Sequence, residues 1–293
     1  MNRKKASNRK GSGVLILLLV FLILVTFLFI LQEVKEKKPQ IKTYKPGKEE
    51  ILQETEEKLI QKPSFKKAVR GAKIALILDD AGWNPDVITW VKKIKVPLTL
   101  AILPESPFGL QIAKQIASLE NTEAILHIPL EPENTRDETK ASQEYLTTKM
   151  TNEEIVEKLE QYMKKFESYV CGVNHHMGSR FTANKEKMEV FLQKIKERNL
   201  LYIDSLTTSN STGYTLARQM GIPAARRDIF IDNPAEYGEI IKTLDAAAKI
   251  AEKKGMVIAI GHVRTTTLKA LNDKVPELER RGFQFIPVTQ AVQ

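Results

Sequence analysis

Short apolar runs alternate with longer amphipathic stretches along the chain from Ala72 onward. The apolar runs are rich in Ile, Val and Leu, which is typical of strands buried on both faces. They are KIALIL, LTLAIL, EAILHI, CGVNHH, LLYID, RDIFID, MVIAIG and FQFIPV. Because amphipathic stretches of helical period separate most of them, the pattern predicts a parallel α/β sheet, either closed as a barrel or open and doubly wound.

Two of the amphipathic stretches carry clear helix-start signals. In TNEEIVEKLEQYMKKFES, Thr151 is followed three residues later by Glu154, which predicts a capping box. In NPDVITWVKKIK, we expect Asn84 to be the N-cap and Pro85 the first helical residue. The sequence has no G-x-G-x-x-G after the first strand and no Walker loop, so nucleotide binding is disfavoured and a barrel is favoured.

The N-terminal part has a different character. The run from Val14 to Leu31 is apolar except for Thr26, and about 20 such residues span the hydrocarbon core of a bilayer. A cleaved signal peptide is the closest alternative, but no small-residue cleavage site follows the run. The positive-inside rule places the main domain outside the cytoplasm. The predicted parts are a basic cytoplasmic tail (1–13), a transmembrane anchor (14–32), a charged linker (33–71) and the main domain (72–293).

The distribution of charge limits the partners of the main domain. The chain has 45 Lys and Arg and 36 Asp and Glu, a net charge of +9. Residues 1–70 hold 16 of the basic and 7 of the acidic residues, so the remaining 29 of each sign cancel. A neutral domain without a basic stripe disfavours nucleic-acid binding. The single cysteine, Cys171, excludes an internal disulfide and any Cys-x-x-Cys motif.

Acidic and imidazole side chains collect at the predicted carboxyl ends of the strands, where the loops of a β/α barrel converge. Asp79 and Asp80 end the first strand. The four histidines of the chain all lie near strand ends: His127, His175, His176 and His262. Carboxylate and imidazole ligands together suit Zn²⁺, Mn²⁺, Fe²⁺ or Co²⁺ better than Mg²⁺ or Ca²⁺. One carboxylate would bind a cation that activates water, the other would be the general base, and a histidine would protonate the leaving group.

Seven segments, taken in order, resemble the divergent polysaccharide deacetylase family: ILDDAG, LAILPES, LHIPLEP, NHHMGSRFT, YIDSLTTSNS, RDIFIDN and IGHVRTTTL. This family is related to the metal-dependent carbohydrate esterases that remove N-acetyl groups from chitin and peptidoglycan. The resemblance covers residues from about Lys73 to Val288. It implies an irregular (β/α) barrel of about seven strands, a divalent metal with Zn²⁺ favoured, and cell-envelope glycan as the substrate.

The resemblance also implies a role for individual residues. It makes Asp79 the general base, Asp80 a metal ligand and His262, in IAIGH, the general acid. Arg180 lies near the place of an arginine-containing motif of the deacetylases, although the rest of that motif is absent. The resemblance therefore suggests that Arg180 orients Asp79.

The second motif departs from the pattern of the deacetylases, in which two ligand histidines are spaced His-x-x-x-His. The chain keeps His127 as a ligand but has Glu131 at the second place. The resemblance implies that His176, from the family's own Asn-His-Met-Gly-Ser signature, is the missing ligand. Glu131 and His175 are the alternatives.

Three functions are consistent with these features. The first is a membrane-anchored deacetylase of envelope glycan; the second is a non-catalytic protein that binds glycan or a partner on the same barrel; the third is a metal hydrolase of another amide or an ester. The altered second motif favours the binding protein, whereas the retained Asp pair and histidines favour an enzyme. Asp204 and Asp232 repeat the strand-end position, where they would either line the pocket or cap the following loops.

Overall fold

The computed structural model describes residues 71–134 and 145–292. The predicted tail and anchor, and the predicted linker up to residue 70, lie outside these residues. Within the described ranges, no helix combines the length and the apolar character needed to cross a membrane.

Strands and helices alternate through the described residues, as the sequence predicts. The strands are β1 (Lys73–Ala81), β2 (Leu98–Ile102), β3 (Thr122–Leu130), β4 (Gly172–Met177), β5 (Leu201–Asp204), β6 (Ala224–Arg226), β7 (Ile229–Phe230), β8 (Met256–His262) and β9 (Gln284–Ile286). The α-helices are α1 (Val87–Ile94), α2 (Gly109–Ile116), α3 (Asn152–Phe166), α4 (Ser179–Ala183), α5 (Lys185–Glu197), α6 (Gly213–Gln219), α7 (Tyr237–Lys254) and α8 (Thr265–Arg281). A 3₁₀-helix, Val288–Gln290, follows β9.

The strands form one parallel sheet in the order β6-β5-β4-β3-β2-β1-β8-β7, and β9 pairs with the start of β1. Strands β6 and β7 end this path, yet only Arg227 and Asp228 separate them in sequence. The two edges must therefore lie near each other, so the sheet curls into an incomplete barrel, and the edge strands β6 and β7 do not pair within the described residues. The parallel α/β prediction is confirmed. The described residues contain nine strands, whereas the family resemblance implied about seven. Eight of them correspond to the eight apolar runs of the sequence, and the ninth, Ala224–Arg226, is a short edge strand with no apolar pattern of its own.

The alternation of side chains along β1 separates two apolar cores. Ile74, Leu76 and Leu78 belong to the large cluster that includes the helices. Ala75 and Ile77 belong to a second cluster, which is built from strands and the C-terminal segment and lies inside the curved sheet. Because successive strand residues face opposite sides, Asp79 follows Ile77 onto the inner face.

The helix-start predictions have different outcomes. The capping box of α3 is confirmed: Thr151 Oγ1 accepts from Glu154 N, and the Glu154 carboxylate accepts from Thr151 N. The prediction that Asn84 caps α1 is wrong. Its side chain accepts from Asp86 N at 2.9 Å in a local turn, and α1 begins only at Val87. Because Asp86 precedes the helix, this bond closes a local turn, and the first turn of α1 has no side-chain cap.

Candidate metal centre and catalytic groups

An irregularity at the end of β1 brings both carboxylates of the Asp pair to the same place. The pairing of β1 with β2 shifts register between Leu78 and Ala81, and Asp80 has a φ of 63°. A non-glycine residue in this left-handed region costs on the order of 1–3 kcal/mol and is typical of functional sites. Regular alternation would separate Asp79 and Asp80, but here His127 faces both. Its Nδ1 is 3.8 Å from Asp79 Oδ1, and its Nε2 is 3.3 Å from Asp80 Oδ1.

Three of the predicted metal ligands converge on one point. Asp80, His127 and His176 each offer one ligand atom, and the three atoms lie within 4.8 Å of one another. His176 Nδ1 is 2.9 Å from Asp80 Oδ1. That oxygen is buried and has no hydrogen bond of good geometry, although two imidazole nitrogens face it. A buried carboxylate oxygen between two imidazoles fits a divalent cation, and one oxygen with two nitrogens is a donor set of catalytic zinc sites.

The electrostatics of the centre favour an ionised Asp80. Burial raises the pKa of its carboxyl, but the electrostatic interactions with His127 and His176 outweigh burial and hold that pKa well below its usual range. Burial lowers the pKa of His127, and the charges of Asp79 and Asp80 more than reverse this. The pocket thus concentrates negative charge beside imidazole nitrogens, which is the arrangement a cation requires.

The structure places neither alternative ligand in this cluster. Glu131 is buried, and its Oε2 accepts from the amide and the hydroxyl of Thr148, both at 2.8 Å. Its Oε1 pairs with Arg180 at 3.2 Å. The expectation that Arg180 orients Asp79 is therefore wrong, because its guanidinium binds Glu131 and the backbone of Glu133 instead.

His175 also lies outside the ligand set, because strand alternation turns it away from the neighbouring His176. Its Nδ1 donates to the carbonyl of Met177 at 2.8 Å. Its Nε2 is 3.1 Å from Asp204 Oδ1 and from the amide of Ser205. His175 thus belongs to the packing of β4 against β5.

Asp79 is buried at the inner side of the centre, with 2 % of its surface exposed. Burial raises the pKa of its carboxyl; the nearby His127, the Asn174 amide and His262 oppose this rise but do not cancel it. A carboxylate with a raised pKa is a stronger proton acceptor, as a general base requires. Its hydrogen-bond donor is Asn174 Nδ2 at 2.8 Å, a residue that the sequence reasoning missed. The available signal was its position two residues before His176, which places both on one face.

His262 lies beside Asp79, because the two residues are register partners on β8 and β1. Asp232 Oδ1 is 2.9 Å from His262 Nδ1, and its Oδ2 accepts from His262 N and Thr267 Oγ1, both at 2.8 Å. His262 therefore donates its Nδ1 proton to Asp232, and its Nε2 remains available to a ligand in the cleft. Burial lowers the pKa of His262, but Asp232 and the charges of Asp79 and Asp80 outweigh it and raise that pKa above its ordinary value.

The two later aspartates have different roles, a choice that the sequence left open. Asp232 lines the cleft and orients His262. Asp204 faces away from the centre and accepts from Leu206 N, Ser211 Oγ and Tyr214 N at 2.7–3.0 Å. Asp204 thus fixes the loop that follows β5.

Comparison with known proteins agrees with the resemblance seen in the sequence. A family model described as divergent polysaccharide deacetylase matches residues 76–292. The chain belongs to this family.

Relatives and solved structures extend the comparison. The protein YibQ of Escherichia coli K12, itself uncharacterised, is 29% identical over 210 residues, which cover 72% of this chain and 64% of that protein. The chain thus matches less than two thirds of that relative's length. An uncharacterised Haemophilus influenzae protein is 26% identical over 200 residues, covering 68% of this chain and 70% of that protein.

Two crystal structures share the fold. An uncharacterised protein of Agrobacterium tumefaciens C58 has a TM-score of 0.66 at 23% identity, covering 76% of this chain and 90% of that one. A putative cellobiose-phosphate cleavage protein of Enterococcus faecalis V583 has a TM-score of 0.54 at 17% identity, covering 75% and 99%. At these identities the likeness shows the fold alone.

In this divergent polysaccharide deacetylase domain, the centre opens into two clefts. One has a volume of about 400 Å³ and contains Asp79, His127 and His262. The other, of about 410 Å³, contains Asp80 and the exposed Trp83. His176 lines both clefts. The arrangement can therefore bind a polar ligand across the centre, with a base and an acid on the side of the first cleft.

Proposed function

We propose that this chain is a metal-dependent hydrolase that removes acetyl groups from N-acetylated sugars of cell-envelope polysaccharide. The observation that carries the proposal is the convergence of Asp80, His127 and His176 beside two titratable groups on adjacent strands, Asp79 and His262. Membership of the deacetylase family supports an acylated sugar as the substrate.

The chemistry follows from the position of each group. Asp80, His127 and His176 would hold a divalent cation, with Zn²⁺ favoured over Mn²⁺, Fe²⁺ or Co²⁺, and this cation would supply the Lewis acidity for the hydrolysis. Asp79 accepts a proton from the water molecule while the oxygen of that water bonds to the acyl carbon. His262 then donates the Nε2 proton to the amide nitrogen as the carbon–nitrogen bond breaks. The products are acetate and a free amino sugar.

The proposal includes a location. The apolar run in residues 14–32 would anchor the protein in the membrane, with the basic residues of the tail on the cytoplasmic side. The catalytic domain would then face the compartment that contains the envelope glycan. The neutral net charge of residues 71–293 disfavours nucleic acid as a partner and is compatible with this location.

The test is metal content and turnover of the purified full-length protein and two variants. Wild type should contain near-stoichiometric Zn, Mn, Fe or Co by elemental analysis and release acetate from N-acetylated oligosaccharides. Asp80→Asn should lose the metal. Asp79→Asn should keep the metal and lose at least about 100-fold in turnover, because the ligands remain while the base is gone.

Other outcomes favour the other functions. A wild type that stays metal-free after incubation with each cation would contradict the hydrolase and favour a binding protein for glycan or a partner. A metal-loaded wild type that leaves acetylated sugars intact but cleaves another amide or an ester would support the metal-hydrolase site. It would exclude N-acetylated sugars as the substrate.

A further inference from the structure

We propose that Asn174 is a positioning residue that sets both the metal ligand His127 and the general base Asp79 through a single side-chain amide. The inference rests on the proposed function. Asn174 is fully buried, with 0 % of its surface exposed. Its Oδ1 is 2.7 Å from His127 Nδ1, and its Nδ2 is 2.8 Å from Asp79 Oδ1.

The chemistry of the amide determines which atoms carry protons. The carbonyl oxygen can only accept, so His127 Nδ1 carries the proton and donates it to Asn174. A neutral imidazole protonated at Nδ1 has its lone pair on Nε2, the atom that lies 3.3 Å from Asp80 Oδ1 in the ligand cluster. Asn174 thereby presents His127 to a cation in the tautomer that can bind it, a role that hydrogen-bonding neighbours of ligand histidines commonly have.

The opposite end of the amide acts on the base. The amide N–H₂ donates to Asp79 and holds its carboxylate at a fixed angle. Because the donor is neutral, it orients Asp79 without the permanent charge of an arginine, which would make the carboxylate a weaker proton acceptor. Asn174 also occupies the bonding positions of two groups only 3.8 Å apart, His127 Nδ1 and Asp79 Oδ1. Without it, these two would pair directly, and the proton of His127 would occupy the base.

The sheet register explains how one residue reaches both groups. His127 and Asn174 are register partners on β3 and β4. Asn174 and His176 are two residues apart on β4 and therefore share a face, whereas His175 points the other way. The segment Asn174-His175-His176 thus supplies in turn a positioning residue, a packing residue and a ligand.

The experiment compares Asn174→Asp and Asn174→Ala in the full-length protein. Zn²⁺ affinity is measured on the metal-free protein by competition with a chelator, and kcat and KM are measured separately by acetate release. Asn174→Ala should weaken Zn²⁺ binding about 10–100-fold, because His127 loses its tautomer-setting partner. Asn174→Asp keeps an acceptor for His127 but repels Asp79. It should bind Zn²⁺ at least as tightly as wild type while kcat falls about 100-fold or more at unchanged KM.

The matched control is Asp204→Asn, a buried change on the neighbouring strand that faces away from the centre. It should reduce stability but leave Zn²⁺ affinity and kcat within about threefold of wild type, which separates positioning from general destabilisation.

Wild-type Zn²⁺ affinity and kcat in Asn174→Ala, or equal loss of Zn²⁺ affinity in all three variants, would overturn the proposal. If wild type binds Zn²⁺ but releases no acetate, the proposed function fails and the affinities of the two Asn174 variants still decide the role of Asn174. If wild type binds no Zn²⁺, both fail.

Discussion

The buried carboxylate of Asp204 should stabilise the fold in a way that depends on pH. Burial alone would raise its pKa, but hydrogen bonds and charge from His175, with further hydrogen bonds from Ser211 and the Leu206 amide, lower it from 3.8 to about 2. A gap of nearly two pH units is worth about 2 kcal/mol of folding free energy at about 1.4 kcal/mol per unit. Because the pKa is lowered on folding, this stabilisation is complete above the unfolded value. It is lost as the pH falls toward 2.

The substitution Asp204→Asn removes this effect. At pH 7 the variant should lose about 2–4 kcal/mol in free energy of unfolding, because its amide N–H₂ faces groups that also donate, such as Ser211 Oγ and Tyr214 N. The difference between wild type and variant should narrow by about 1 kcal/mol between pH 6 and pH 3, where roughly half of the linked stabilisation has gone.

Urea denaturation followed by far-UV circular dichroism at several pH values provides the measurement. Asp86→Asn is the matched control, since Asp86 is exposed and makes no side-chain cap of α1. Its free energy of unfolding should stay within about 0.5 kcal/mol of wild type at every pH. A difference between wild type and Asp204→Asn that stays constant from pH 6 to pH 3 would refute the linkage argument.

Three further predictions concern the centre itself. Asp232→Asn should lower kcat about 10²–10⁴-fold with metal content unchanged, because the amide oxygen takes the place of Oδ2, which accepts from His262 N and Thr267 Oγ1, and the amide N–H₂ then faces His262 Nδ1; normal turnover would contradict this role of Asp232. In wild type, kcat should fall as the pH rises through the pKa of His262, which is raised above its ordinary value. Asp232→Asn should move that limb of the pH profile to lower pH, and an unmoved limb would assign it to another group. Glu131→Gln should keep the metal content of wild type but weaken the contacts to Thr148 and Arg180, so loss of metal in this variant would place Glu131 among the ligands.

Much of the architecture was predictable from local pattern. Continuous apolar runs, helical periodicity and the Thr151 capping box are local features, because strand burial and helix capping depend on residues close together in sequence. The same logic placed Asp79, His127, His176 and His262 at the carboxyl ends of parallel strands. In a parallel sheet these ends meet at one edge, so a shared site follows from the pattern without coordinates.

The partners within the site depended on the tertiary structure. Whether Asp80 joined Asp79 on the inner side was decided by the register shift in β1 and the left-handed φ of Asp80, which regular strand alternation would not predict. That His176 rather than Glu131 lies beside Asp80 and His127 was decided by alternation on β4 and by the contact between Glu131 and Thr148, which lies 17 residues away along the chain.

The same reason explains the errors and omissions. Arg180 was expected at Asp79 because of its place in a motif, but the carboxylate within its reach is Glu131. Asn174 and Asp232 act on groups that are distant in sequence, His127 and His262, and only strand pairing brings them within hydrogen-bonding distance. Sequence determined which chemical groups this domain carries and at which end of the sheet they lie. Strand register and one strained residue decided which of them touch, because contacts across a sheet depend on pairing that no local pattern encodes.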